Sequence, residues 1–213
     1  MSLPLRSRAL LVAAAVALAA ALALPVWRIG LVAPQYPEGL GMVIRLNTIT
    51  GAQPQDLANI NGLNHYIGMK SIEPDAIPEL RYMPWVLGAL VAGAFVVALV
   101  GRRRALVAWL ATFLAAGLAG LVDFWKWGYD YGHELDPHAI IKIPGMVYQP
   151  PLIGSKQLLN FTAHSWPDIG GVLAGAAFVV GALALWLSRR ETTAPSPRRA
   201  PRVADRTALA AGR

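Results

Sequence analysis

The sequence predicts an all-α membrane protein in which four transmembrane helices carry two long extracytoplasmic loops that form a cap. Only 15% of the 213 residues are charged, against about 25% in a typical soluble domain. A helix of about 20 apolar residues crosses the roughly 30 Å hydrocarbon core of a membrane and satisfies its own backbone hydrogen bonds. Four runs of about this length contain no charged residue: 9–27, 82–101, 105–122 and 169–188.

The first run, 9–27, is predicted to be a transmembrane helix that follows a cytoplasmic N-terminus at 1–8. Two arginines precede its Ala-rich stretch, a pattern that also fits a cleavable signal peptide. The stretch is longer than a usual signal core, and Trp27 and Arg28 follow it as an interfacial anchor would. An uncleaved helix is therefore the favoured interpretation.

The basic residues predict the orientation. Twelve of the nineteen lysines and arginines fall in 1–8, in the short 102–104 loop and in the 189–213 tail. Because cytoplasmic segments carry an excess of Lys and Arg, both termini are expected in the cytoplasm. The Pro- and Arg-rich tail is predicted to be disordered, to contact membrane lipids and not to bind nucleic acid.

The two long connections, 28–81 and 123–168, then face outward and hold ten of the twelve acidic residues and all four histidines. Residues 42–50 alternate apolar and polar side chains, which predicts a short strand or extended piece. Residues 54–67 indicate a short helix or turns that lie flat, and Asp56 could cap the helix. Connections of this length are usually functional.

A first pair of candidate metal ligands lies in the stretch "NINGLNHYIGMK". His65 and Met69 are four residues apart, so a helical turn would place both on one face. Imidazole with thioether suits copper. The alternative is that His65 hydrogen-bonds within the loop and Met69 packs at the lipid surface.

A denser set of candidate ligands follows the third run, in "DFWKWGYDYGHELDPH". If the helix continued past the membrane, its acidic residues would share one face, with an imidazole to the side. Carboxylate with imidazole suits zinc, iron or oxidised copper. The alternative is a solvated helix end in which Lys126 or Arg81 pairs with Asp123. The candidate metal ligands of this connection are Asp123, Asp130, His133, His138, Met146 and His164.

No motif in the chain predicts an enzyme. There is no cysteine, which excludes disulfides, thiolate metal sites and cysteine nucleophiles. No G-x-S-x-G elbow, P-loop, H-E-x-x-H or dinucleotide fingerprint is present, and adjacent Ser155 and Lys156 do not predict a catalytic dyad. The protein is therefore not predicted to be an enzyme.

The connecting segments resemble those of a known family. The strings that carry the resemblance lie within residues 30–168 and read "YPEGLGMVIRLNTITG", "DLANINGLNHYIGMK", "ELRYMPW", "DFWKWGYDYGHELDP" and "PGMVYQPPLIGSKQLLNF". They are similar to a family of small bacterial polytopic membrane proteins encoded beside nitrous-oxide reductase and its copper-maturation genes. The resemblance implies a role in denitrification, in supplying or assembling periplasmic copper or in supporting the reductase, with a periplasmic metalloenzyme or copper chaperone as partner. It implies no particular ligand set.

Three functions follow as hypotheses. The first is an accessory membrane protein that binds copper for a periplasmic metalloenzyme. The second is a quinol-interacting or electron-transfer subunit, in which boundary Trp and Tyr residues frame a quinone headgroup and Asp123 or a histidine accepts a proton. The third is a metal-free scaffold that docks a periplasmic partner. Gly- and Ala-rich runs permit close helix packing, either within the bundle or in an oligomer.

Overall fold

The computed structural model describes residues 2–193, with side chains described for 2–190. Helices and strands alternate along the chain. In order they are α1 (Leu5–Ala21), β1 (Trp27–Ala33), β2 (Tyr36–Ile44), β3 (Ile49–Gly51), α2 (Asp56–Ile67), a 3-10 turn (Pro74–Ala76), α3 (Glu79–Val100), α4 (Arg103–His133), β4 (Gly154–Leu158), β5 (Phe161–Pro167) and α5 (Ile169–Thr193). The remainder of the predicted disordered tail, 194–213, lies outside the described residues.

The all-α prediction is wrong, because the two long connections form one five-stranded antiparallel sheet in the order β3-β2-β1-β5-β4. β1 pairs with β2 on one side and with β5, from the far end of the chain, on the other. Glycine and proline are depleted in strands in general, yet they interrupt β1, β2, β4 and β5. The pairing of β1 with β5 joins distant segments, so no local pattern announces it.

Local patterns were informative where the pairing is local. The alternating stretch 42–50 contains the end of β2 and the start of β3, which a tight turn joins through a hydrogen bond from Arg45 N to Thr48 O at 2.8 Å. The short helix expected within 54–67 is confirmed as α2. Asp56 does not cap it as predicted: it is the first helical residue, and its Oδ2 accepts hydrogen bonds from Gly41 N at 2.8 Å and Gln53 N at 3.0 Å. The carboxylate therefore ties α2 to β2.

Three of the four predicted spans coincide with helices that are long and apolar enough to cross a membrane, namely α3, α4 and α5. The remaining predicted span, 9–27, falls on α1, which has 17 residues and is not one of these three helices. At 1.5 Å per residue α1 is about 26 Å long, shorter than the roughly 30 Å hydrocarbon core. It begins before the predicted run, at Leu5, and the chain turns into β1 at Trp27, the last residue of that run.

The four long helices form a bundle in which α1 packs against α3 and α5. Leu11, Leu18, Leu90, Leu106 and Phe113 lie in its core. The Ser7 hydroxyl donates to the carbonyl of Ala184 on α5 at 2.8 Å, so a polar side chain inside the bundle has a partner. The N-terminus is held at the α3–α4 turn by a hydrogen bond from Leu3 N to Gly101 O at 2.6 Å.

A second core, the sheet layer, lies beyond the bundle and joins β1, β2, β3 and α2. Its buried side chains are Ile29, Leu40, Met42, Ile49, Ile60 and Ile72. The C-terminal end of α4 completes this core, because Phe124, Trp127 and Tyr131 pack against it. α4 is thus one 31-residue helix shared by both cores. At about 46 Å it is longer than a membrane core is thick, so one end of it projects out of the bundle.

Candidate functional site: a cavity at the membrane boundary

α4 leaves a gap where it passes from one core to the other. Its side chains buried in the bundle, from Leu106 to Phe113, occupy its first three turns. The next tightly packed ring is Phe124, whose centroid lies 5.2 Å from that of Trp27 on β1. Between them, Gly117, Gly120 and Leu121 of α4 and Met83 and Leu87 of α3 line an open volume. The result is a cavity of about 450 Å³, which we call the boundary cavity.

The boundary cavity is apolar on the bundle side and charged at the sheet side. Its bundle wall includes Leu87, Leu90 and Phe113. Ligand sites in proteins are typically apolar cavities of about 300–1,000 Å³ with a few polar groups, and this cavity has that character. Its charged lining residues are Arg45, Glu79, Asp123, Lys126 and Asp130.

The charged residues of the boundary cavity are not equivalent. Lys126 forms an ion pair with Asp130 one turn along α4, and Arg45 donates to the carbonyl of Ala23 at 3.0 Å. Lys126 is therefore neutralised by a carboxylate, whereas Arg45 keeps its charge. The Asp123 carboxylate is exposed and forms no hydrogen bond or ion pair within the described residues 2–193. It lines the cavity near Glu79, which also lacks an ion pair in this part of the chain.

A second cavity, of about 480 Å³, lies within the sheet layer between the sheet, α2 and the segment at 148–150. We call it the sheet-layer cavity. Its walls are aliphatic and aromatic, with amide side chains, and no charged side chain of the described part of the protein belongs to them. Trp127 belongs to the wall of both cavities.

Tyr148 is the most unusual side chain in the wall of the sheet-layer cavity. It is 3% exposed, and its hydroxyl has no hydrogen-bond partner among the described residues. Burial raises the pKa of the Tyr148 hydroxyl, so it stays protonated and able to donate. The Trp127 indole nitrogen is also buried, and the Tyr131 side chain lies against it. A buried donor without a partner costs about 1–3 kcal/mol, which a ligand with an acceptor atom would offset.

Two of the predicted ligands, Asp123 and Asp130, are brought together. α4 continues through Gly128 and Gly132 as the prediction of a shared face required, and both carboxylates line the boundary cavity. Lys126 pairs with Asp130 rather than with Asp123. Arg81, the other expected partner of Asp123, donates instead to the carbonyl of Asp75 at 2.9 Å.

His65 and Met69 do not share a helical face. α2 ends at Ile67, and Gly68 adopts a left-handed conformation with φ 81°. The amide of Met69 then donates back to the carbonyl of Asn64 at 2.9 Å, which closes the helix end. His65 remains exposed on α2, while Met69 lines the sheet-layer cavity.

The remaining histidines have separate local partners. His133 Nδ1 lies 2.9 Å from the Tyr129 carbonyl oxygen, and the His133 ring stacks on that tyrosine. His138 Nδ1 lies 3.3 Å from an oxygen of Asp136. His164 Nδ1 lies 2.6 Å from the Ser155 hydroxyl across β4 and β5, a cross-strand pair that the sequence did not reveal. Met146 sits in a turn, where its amide donates to the Ile143 carbonyl at 3.1 Å.

Among the side chains described for residues 2–190, no three of His, Asp or Glu converge where they could hold a metal ion. The binding of copper stays a prediction from sequence.

Several residues that line the two cavities were not predicted as functional from the sequence. Gly117 and Gly120 are two of many small residues in an apolar run, and nothing local distinguishes a glycine that lines a cavity from one at a helix contact. Trp127 and Tyr148 were two of many aromatic residues near the predicted membrane boundary. The alignment of Phe124, Trp127 and Tyr131 at helical spacing was the available signal for the sheet-layer end of α4.

Searches against models of known protein families and against curated protein sequences found no match to the chain. The resemblance to the family encoded beside nitrous-oxide reductase stays a prediction.

Proposed function

We propose that this is a membrane protein that binds a quinol-type lipid, an uncharged ring bearing hydroxyl groups on an apolar tail, in the boundary cavity. The observation that carries the proposal is the cavity between α3 and α4, which combines an apolar wall with an unpartnered carboxylate at one end. An apolar tail fits against Leu87, Leu90 and Phe113. A hydroxyl of the ring would donate to Asp123.

The charges favour a neutral headgroup over a phospholipid. The lining holds three carboxylates and two cations; the pair of Lys126 with Asp130 leaves Asp123 and Glu79 against the single cation Arg45. An anionic phosphate would meet Asp123 and Glu79 at close range, where like charges repel. A hydroxyl instead supplies the donor that an ionised carboxylate accepts. The proposal concerns binding alone, and no oxidation or reduction step is part of it.

We further propose that the protein lies in the bacterial inner membrane with both termini in the cytoplasm and the sheet layer in the periplasm. The support is the clustering of basic residues near the termini and in the α3–α4 turn. Hydrolysis of a reporter fused after residue 213, measured separately for a cytoplasmic and a periplasmic reporter enzyme, tests this orientation. A reporter active only in the periplasm would contradict it.

The binding test fills the cavity from α4. A Cβ added at Gly117 meets no heavy atom within 4 Å, so Gly117→Leu projects a side chain into the boundary cavity without a backbone clash. Gly88→Leu on α3 is the matched control, since that glycine has the same free space but does not line the cavity. Both variants replace a helical glycine with the same residue and gain similarly in helix propensity.

Binding of decylubiquinol, kept reduced, is measured by equilibrium dialysis of the full chain in phosphatidylcholine nanodiscs. We expect saturable binding, its loss in Gly117→Leu and its retention in Gly88→Leu. Asp123→Asn should weaken binding about 10-fold or more, because a hydrogen bond to a charged group contributes about 1.5–3 kcal/mol. Equal binding by both glycine variants would overturn the proposal. Retention of phosphatidylglycerol that rises in Asp123→Asn would also overturn it, in favour of a phospholipid.

A further inference from the structure

We propose that the sheet-layer cavity is a second binding site, and that it takes the carbonyl-bearing, oxidised ring of the same class of lipid. The inference rests on the proposed function, since it concerns the partner form of the same compound. Its own support is independent of Asp123, because the sheet-layer cavity has different walls, different polarity and a different unpartnered group.

The two cavities offer opposite hydrogen-bonding groups. The boundary cavity presents a carboxylate acceptor, which suits the hydroxyl of a reduced ring. The sheet-layer cavity presents a donor, the Tyr148 hydroxyl, which is buried without a partner in the described part of the chain. A carbonyl oxygen accepts hydrogen bonds and cannot donate them, so the oxidised ring matches the second cavity and not the first.

The absence of charge selects for the same ligand. None of the charged side chains described for residues 2–190 lines the sheet-layer cavity, and Tyr36, Tyr131 and Tyr148 contribute aromatic walls. Flat uncharged rings stack favourably on such side chains. Its volume, about 480 Å³, is within the range of small-molecule sites. Bound ions or phosphates would lose their hydration without finding an opposite charge.

Trp127 places the second site next to the first. Trp127 lies on α4 and lines both cavities. The Trp127 ring packs on the Tyr131 ring with centroids 4.6 Å apart. The two cavities therefore share a wall at Trp127.

The test uses menadione, a tail-less naphthoquinone, and 2-methylnaphthalene, which has a similar ring and methyl group but no carbonyls. The full chain is labelled with 3-fluorotyrosine in nanodiscs, and the Tyr148 ¹⁹F resonance is assigned by its loss in Tyr148→Phe. We expect menadione to shift the Tyr148 resonance saturably. The resonance of Tyr129, which lines neither cavity, should stay in place and serves as the internal control.

Tyr148→Phe removes one hydroxyl and leaves the ring. It should weaken menadione binding about 3- to 10-fold, since a neutral hydrogen bond contributes on that order, and leave 2-methylnaphthalene binding unchanged. Tyr129→Phe should change neither. An unmoved Tyr148 resonance, or equal weakening for both compounds, would overturn the inference. Decylubiquinol binding and its loss in Gly117→Leu would stand in either case, so failure of the second site is distinguishable from failure of the first.

Discussion

The two ends of α4 solve the same packing problem in opposite ways. In the bundle, the large side chain is on α4 and the glycines that make room for it are on the neighbouring helices. Trp109 lies against Gly93 of α3 and Gly181 of α5, where an added Cβ would come within 3.0 Å and 2.7 Å of the indole. At the sheet layer, where α4 meets the segment at 148–150, the glycine that makes room is on α4 itself. A Cβ at Gly132 would come within 2.4 Å of the backbone nitrogen of Gln149.

The difference shows why α4 is continuous although two glycines interrupt its C-terminal half. Gly128 and Gly132 are buried because the segment around Gln149 and Pro150 lies directly on the helix. The amide of Tyr148 donates to the carbonyl of Gly132 at 3.0 Å, which seats that segment. Glycine at these positions permits close approach of two backbones and is not a helix end. Between the two arrangements lies the stretch that opens onto the boundary cavity.

Replacing the large side chain should have the largest effect. Trp109→Ala removes a 6% exposed indole, its contact with Phe113 and its hydrogen bond to the Leu90 carbonyl at 2.9 Å. We expect a loss of about 3 kcal/mol in unfolding free energy, measured by denaturant titration in detergent micelles. Trp125→Ala, at a half-exposed tryptophan on the same helix, is the control. Surface substitutions usually change the unfolding free energy by about 0.5 kcal/mol, so we expect this variant to lose less than about 1 kcal/mol.

Filling the space at the other end should have the next largest effect. Gly132→Ala drives a methyl group into the backbone of Gln149, and overpacking of this kind costs about 1–3 kcal/mol. Hydrogen exchange of the 148–150 amides should accelerate in this variant while the bundle amides stay protected. Gly62→Ala on α2, where a Cβ meets nothing within 4 Å, should instead stabilise the protein by about 0.5–1 kcal/mol. Equal destabilisation by both would contradict this account of the helix glycines.

The sheet layer should also weaken without its buried carboxylate. Asp56 is 5% exposed and holds the amides of Gly41 and Gln53, so Asp56→Ala leaves two backbone donors without their acceptor. We expect a loss of about 2 kcal/mol, within the range for a buried unsatisfied group. We also expect the sheet layer of this variant to unfold before the bundle, and tryptophan fluorescence would monitor the two steps. A variant as stable as the native chain would contradict the role of Asp56.

The smallest effect belongs to the exposed ion pair of Lys70 with Glu134, which joins the end of α2 to the end of α4. Exposed pairs contribute about 0–1 kcal/mol. The hydrogen bond to Glu134 raises the pKa of Lys70 above its ordinary value. The stabilisation is therefore complete below the ordinary lysine pKa and is lost as the pH rises through the raised pKa. Lys70→Met should remove this alkaline loss and change little at neutral pH.

Asp136 gives the mirror case at acid pH. The backbone amide of His138 donates to its carboxylate at 2.8 Å and lowers the pKa of Asp136, with a smaller effect from the His138 ring. This contribution is present above the ordinary aspartate pKa and is lost as the pH falls through the lowered one. Asp136→Asn should flatten that part of the acid unfolding curve. An unchanged curve would show that the contact forms equally in the unfolded chain.

The apolar runs predicted three of the helices because span length and lack of charge are local properties. The sheet could not be predicted in the same way, because β1 pairs with β2 of the first connection on one side and with β5 of the second connection on the other. The His65 and Met69 spacing failed as a site for a local reason, the left-handed turn at Gly68. Asp123 was identified because a carboxylate that closely follows an apolar run has to have a partner or a role. Tyr148 was not, because its missing partner is a property of the folded chain alone.

The pairing of β1 with β5 has a consequence for the order in which the molecule can be made. Trp27 on β1 and Ser165 on β5 are bonded through their side chains across a separation of 138 residues. Ribosomes add about 5–20 residues per second, so β1 waits on the order of ten seconds for its second neighbour. During that interval its free edge is exposed to other chains, and any factor that shields nascent strands would act then.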